Sequence, residues 1–164
     1  MEEEASTKES KHGDRWSDEE FRVWVLDELI AEAPRLYEKY KDVVQKISFC
    51  IVKWRQRYQG NAPLWNRVFK KDRVIKEAIE SVPIIHAVDH WMSSYSATLL
   101  PVDGEPKKKV TIIDLCSGKG YLSMLLSEYL KEPELVDKCI LIDKAWPLCN
   151  SQPKPHHIRY VGLD

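Results

Sequence analysis

The sequence predicts an α/β fold in which a helical N-terminal region leads into the start of a doubly wound parallel sheet, apparently truncated. Three observations carry this. Residues 15–98 repeat their apolar positions at helical spacing and contain no strand-like run. Val110-Thr111-Ile112-Ile113 is a run of β-branched residues, the pattern of a buried parallel strand. A tight loop follows, Cys116-Ser117-Gly118-Lys119-Gly120, and from Tyr121 to Leu130 the spacing turns helical, with Leu122, Leu125, Leu126, Tyr129 and Leu130 on one side. Strand, glycine loop and helix form the nucleotide-binding opening of a doubly wound domain.

In chain order, residues 1–14 are polar and charged without apolar periodicity, which predicts a disordered tail. Ser17-Asp18-Glu19-Glu20 is a capping box, and Trp16 with Phe21 can form the hydrophobic staple beside it. The helix it opens runs to about Ala33, with Phe21, Trp24, Val25 and Leu29 on one face. Pro34 breaks it and suits the first turn of a second helix. Leu36, Tyr37, Tyr40, Val43, Val44, Ile47, Ile51, Trp54 and Tyr58 continue that helix to Gly60-Asn61. Pro63 opens a shorter one through Trp65, Val68 and Phe69. Val74, Ile75, Ala78 and Ile79 mark another, and Ser81-Val82-Pro83 starts a further helix from Ile84 to about Ser96.

Residues 99–109 read as a linker, with Asp103-Gly104 and two prolines supplying turn chemistry and Lys107-Lys108-Lys109 a solvated lip. Residues 110–164 then form the N-terminal part of the sheet domain. Lys138-Cys139-Ile140-Leu141-Ile142 reads as a second strand ended by Asp143, and Ile158-Arg159-Tyr160-Val161 as the beginning of a third. Two or three strands make an incomplete doubly wound sheet, so the polypeptide reads as the N-terminal portion of a longer protein. An isolated chain of this kind is expected not to turn over.

The loop's chemistry follows from its residue types. Glycines reach backbone angles closed to other residues and let a ligand approach the main chain. Loop amides and the helix N-terminus offer donors. Asp114, just before the loop, can accept from a ligand cation or a bound water. A second acid about twenty residues past the loop, at the end of the next strand, is the usual holder of ribose hydroxyls, and Asp143 stands there. Gly118-Lys119-Gly120-Tyr121-Leu122-Ser123 also nearly fits G-x-G-x-x-G, which leaves a nicotinamide or flavin site open. Ser123 replaces the last glycine, however, and Asp114 sits where dinucleotide loops rarely carry an acid. A phosphate-cradling P-loop is poorer still: Lys119 is followed by no Ser or Thr and the upstream glycine is missing. A plain β-turn-α connection without a ligand is the remaining alternative.

Asp114, Gly118, Gly120 and the spaced Asp143 together resemble the class I S-adenosylmethionine-dependent methyltransferases, with Cys116 where a first glycine is usual. The run DLCSGKGYLS followed by LIDK is most similar to the methyltransferase-like proteins related to tRNA 2′-O-methyltransferases. The resemblance covers Val110 to Pro147. It implies a Rossmann-like domain, S-adenosyl-L-methionine as cofactor, a cofactor site made by Asp114, Cys116, Ser117, Gly118, Lys119, Gly120 and Asp143, and RNA, tRNA in particular, as substrate. No residue can be named as catalytic from these motifs. Trp146 stands near where an adenine would rest and either stacks on it or covers the sheet edge.

The chain has 164 residues, 43% hydrophobic content and a net charge of −1, enough for a core and neutral on nucleic acid. Cys50, Cys116, Cys139 and Cys149 lack paired spacing, and with His156 and His157 they show no zinc pattern, so no metal is expected. No signal run or membrane-length apolar segment exists, and a reducing compartment, cytoplasm or nucleus, is the simplest reading. Lys53, Arg55, Arg57, Arg67, Lys70, Lys71 and Arg73 interleave with Trp54, Tyr58 and Trp65. An RNA-contact surface is one reading; core aromatics with solvated cations is the favoured one, because steering a polyanion needs a one-sided patch. Against the methyltransferase stands a non-catalytic interaction protein with a vestigial sheet half; an NAD-dependent oxidoreductase is the second alternative.

Overall fold

The computed structural model describes residues 16–69, 73–98, 109–130, 135–143 and 158–162. The expectations on the 1–14 tail, on Lys70, Lys71, Trp146, Cys149, His156 and His157, and on all of the linker but Lys109 lie outside the described residues. Among those described, the chain is mostly helical and carries a small parallel sheet, an α/β arrangement.

Helix α1, Asp18–Glu32, starts at the capping box. Ser17 Oγ accepts from the Glu20 amide at 3.2 Å, and the Ser17 amide donates to the Glu20 carboxylate at 2.7 Å. The Trp16 and Phe21 rings, 6.5 Å apart, complete the staple. A further fastening comes from Arg55, whose guanidinium donates to the carbonyls of Trp16 at 2.6 Å and Ser17 at 3.2 Å and pairs with Asp18 at 3.3 Å. Ser17→Ala should cost about 1 kcal/mol in urea denaturation; an unchanged midpoint would show that Arg55 alone sets the helix start.

The sequence reading placed one helix between Pro34 and Tyr58, and the structure has two: α2, Pro34–Lys39, and α3, Lys41–Tyr58. Tyr40 breaks them with φ −129° and ψ 37°, its ring 5.0 Å from that of His86. Apolar spacing reports which face is covered and passes unaltered through such a break. Helix α4, Ala62–Phe69, begins where Asn61 Oδ1 accepts from the Leu64 amide at 3.2 Å.

The converse correction concerns α5, Arg73–Thr98, one helix of 26 residues where two were expected. Pro83 lies inside it and removes one intrahelical donor. Val74, Ile75, Ala78 and Val82 before the proline and Ile85 and Met92 after it are buried in the same core, so tertiary burial holds the two halves in line.

Strand β1, Val110–Leu115, leads through the glycine loop into α6, Tyr121–Tyr129; β2 is Val136–Asp143 and β3 is Ile158–Gly162. All pairings are parallel and the strand order is β1-β2-β3. In this register Asp114 lies opposite Leu141 and Leu115 opposite Ile142. Helix α6 buries Met124, Leu125 and Leu126 within the core that also takes Cys139 and Leu141 of β2. On the other face Ile113 is 57% and Leu115 69% exposed.

The helical region and the sheet share this core, and α6 is fixed to the helices at both ends. The Tyr121 hydroxyl shares its hydrogen bond between the carbonyls of Val68 at 2.8 Å and Arg67 at 3.0 Å, at the end of α4. Trp54 of α3, fully buried, packs its ring 6.2 Å from that of Tyr121. At the other end Lys46 donates to the Tyr129 carbonyl at 3.0 Å, and Arg57 pairs with Glu128 at 2.5 Å. Among the described residues no helix is long and apolar enough to cross a membrane.

Candidate functional site

The candidate site is the turn between β1 and α6 together with the end of β2. Three of its residues lie in left-handed backbone space: Cys116 at φ 59°, Gly118 at 54° and Gly120 at 79°. Cys116 thus adopts the conformation that a glycine would adopt freely, at a cost of roughly 1–2 kcal/mol. Gly120 is needed for space as well as angle, since a Cβ there would stand 2.6 Å from Leu141 Cδ2. At Gly118 the same atom would meet nothing within 4 Å.

Internal hydrogen bonds shape the loop. The Ser117 amide donates to the Ile142 carbonyl at 3.1 Å and the Gly120 amide to the Ser117 carbonyl at 2.8 Å. The Gly118 amide donates to the Asp143 carboxylate at 2.8 Å. The sequence expectation that loop amides point outward as ligand donors therefore does not hold for these three, which donate within the chain. The parallel register does bring Asp143, distant in sequence, onto the glycine loop. Cys116 and Gly118 are exposed, while Ser117, Lys119 and Asp143 are half-buried.

Asp114 points to the helix side of the sheet. It is buried, and its Oδ2 accepts from Ser123 Oγ, itself fully buried, at 2.8 Å. Burial pushes the Asp114 carboxyl above the usual carboxylate range, the Ser123 hydrogen bond pulls it back, and the negative charge of Asp143 adds to the upward push. A carboxyl raised in this way favours folding while it is protonated. That contribution is complete below the ordinary carboxylate range and is lost as pH climbs through the raised value. Asp114→Asn keeps an acceptor for Ser123 and removes the charge. Its Tm should match that of the unaltered protein in strong acid and exceed it at pH 7. A variant less stable at pH 7 would mean that the ionised carboxylate holds the fold.

The basic and aromatic run of α3 and α4 divides by position. Trp54, Tyr58 and Arg55 are core residues, Arg57 and Lys53 face Glu128, and Trp65 stacks on Phe69 with ring centroids 4.4 Å apart. Trp54 and Tyr58 are thus buried and Trp65 half-buried, while the Lys53 and Arg57 side chains remain exposed. A cavity of about 450 Å³ between α1 and α5 is lined by Glu28, Glu32, Ile75, Lys76, Ile79 and Glu80, none of them from the loop. Among the described residues no group of three or more His, Cys, Asp or Glu is placed to hold a metal ion.

Sequence reasoning overlooked two residues here. Ser123 registered as a missing glycine, yet it is the partner of Asp114. Tyr121 registered as the first residue of a helix, yet its hydroxyl is a clamp. A hydroxyl in the first turn after a glycine loop, following an acid at the strand end, is the signal that could have found the first. A scan against protein-family models finds no matching family, and searches of curated proteins and of solved structures find no match to this chain.

Proposed function

We propose that this chain is the cofactor-binding part of an S-adenosylmethionine-dependent methyltransferase with a Rossmann-like domain, acting on RNA, in the cytoplasm or nucleus. One observation carries the reading. Asp143 ends β2, next to β1 in a parallel sheet, with its carboxylate 2.8 Å from a glycine amide of the β1–α6 loop. A carboxylate so placed suits a ribose diol, which it would accept from with charge assistance.

The residues present fit the group. Asp114 and Asp143 repel one another across the loop, and a ligand with positive charge relieves that repulsion. The space beside Gly118 is open for close approach. Asp143 would hold the ribose, and Asp114 with the Cys116, Ser117, Gly118, Lys119 and Gly120 backbone would face the methionine end. S-adenosylmethionine supplies an activated methyl on a sulfonium; the chain's part is to bind and orient it for an aligned acceptor. A dinucleotide is a poorer match, because Asp114 would face its phosphates.

Calorimetric titration with S-adenosylmethionine and, separately, NAD tests this. Binding of the first alone is expected; binding of NAD alone would sustain the oxidoreductase reading. Asp143→Ala should weaken S-adenosylmethionine binding by roughly 1.5–3 kcal/mol, since two hydroxyls lose a charged acceptor. Asp143→Asn, which can still accept from Gly118, should lose a smaller part of that. Unchanged affinity in Asp143→Ala would remove Asp143 from the site.

A non-catalytic interaction protein is the second reading, favoured by the apolar sheet face at Ile113 and Leu115. Silence with both nucleosides in the titration would favour it.

A further inference from the structure

Ser123 stands where a dinucleotide-binding loop has its third glycine, the one that lets helix and strand approach closely. Here the position carries a hydroxyl that spans the gap between α6 and β1 and donates to Asp114 Oδ2 at 2.8 Å. Both partners are removed from water, Ser123 at 0% and Asp114 at 8% exposure. A buried carboxylate is costly to keep charged, and a donor aimed at it is what favours the charged form. Besides Ser123 of α6, the charged group acting on Asp114 is the Asp143 carboxylate of β2; the Cys139 thiol of β2 is pushed up by burial and by Asp114 itself and stays neutral. Asp143 discourages a second negative charge, and Ser123 supports it, through its hydroxyl first and its backbone N–H second.

We infer that Ser123 is a positioning residue: it fixes Asp114 in orientation and as a carboxylate beneath the loop, so that the loop selects a positively charged nucleoside and turns away the phosphates of a dinucleotide. This rests on the function proposed above. Removal of the hydroxyl leaves Asp114 buried near Asp143 with only the Ser123 backbone N–H as donor, and the carboxyl then takes up a proton at a higher pH. The selecting charge disappears with it, although the loop backbone is untouched.

Two measurements on the whole chain test the inference. The first is a carbon-detected NMR titration of the Asp114 carboxyl without ligand, in the unaltered protein, in Ser123→Ala and in Ser127→Ala. Ser127 lies on the same helix, and its hydroxyl donates to the Met124 carbonyl instead. The Asp114 midpoint should move to higher pH in Ser123→Ala and stay in place in Ser127→Ala. The second is calorimetry with S-adenosylmethionine from pH 5 to pH 8. Ser123→Ala should bind up to about tenfold more weakly at the acid end of this range, with the deficit shrinking as pH rises, whereas Ser127→Ala follows the unaltered protein. An unmoved Asp114 midpoint in Ser123→Ala overturns the inference whatever the binding result. A binding deficit equal at every pH also overturns it, since loss of packing alone gives that result. An unaltered protein that binds no S-adenosylmethionine overturns the proposed function itself, with the ligand-free midpoint still reporting on the Ser123–Asp114 pair.

Discussion

Gly120→Ala is expected to lower stability by roughly 2–5 kcal/mol and to abolish the S-adenosylmethionine binding proposed for the loop. Two costs add. An L-residue at φ 79° carries a left-handed penalty of roughly 1–2 kcal/mol. The new methyl would also sit 2.6 Å from Leu141 Cδ2, and Leu141 is only 2% exposed, so its side chain can turn only against packed neighbours. Overpacking of that kind costs about 1–3 kcal/mol. Relief comes either from a rotation of the Leu141 side chain within the core or from moving the start of α6 away from β2, which would pull the loop off Asp143. Gly118→Ala separates the terms, because its φ is 54° and its surroundings are open. It should show the backbone penalty alone. Equal losses at the two positions in urea denaturation would show that Leu141 yields freely.

Trp54→Ala should cost about 3–5 kcal/mol, as deletion of a fully buried indole does. The damage should not stay within the helices. Trp54 lies against Tyr121, so the cavity opens directly behind the first residue of α6. The indole Nε1 has no hydrogen-bond partner among the described residues, and Trp54→Phe therefore removes a buried orphan donor together with some packing. We expect Trp54→Phe to lose well under half of what Trp54→Ala loses. A similar loss in both would mean that the indole ring's shape, rather than its bulk, organises the contact.

Much of this architecture was legible because local chemistry specified it. Ser17 and Glu20 announce a helix start that needs no distant partner. Val110 to Ile113, the glycine loop and the Leu-rich run after it announce their strand–turn–helix in order, and Asp143 was found by spacing alone. The misses share a cause, which is that long-range contacts decided them. Tyr40 keeps helical spacing while the backbone breaks, and Pro83 signals a break that shared burial overrides. Arg55 looked like one more cation in a basic run, and only the fold shows it gripping the carbonyls of Trp16 and Ser17. At the site, the positions of Asp114 and Asp143 could be read, but not that Ser123 would bind the first or that the Gly118 amide would occupy the second.

The hydrogen bond that the Tyr121 hydroxyl shares between the Val68 and Arg67 carbonyls at the end of α4 carries a thermodynamic consequence. Gly120, the last residue of the loop, is covalently next to Tyr121, so ordering the loop also orders the anchorage of α4. Free energy spent at one end is then felt at the other, and such linkage is reciprocal. A ligand that settles on the glycine loop should slow amide exchange in α4, which it never touches. A partner that docks on α4 should, by the same factor, alter the loop's affinity for its ligand. The helical region is thus expected to act as one half of a coupled equilibrium whose other half is the nucleoside site proposed above.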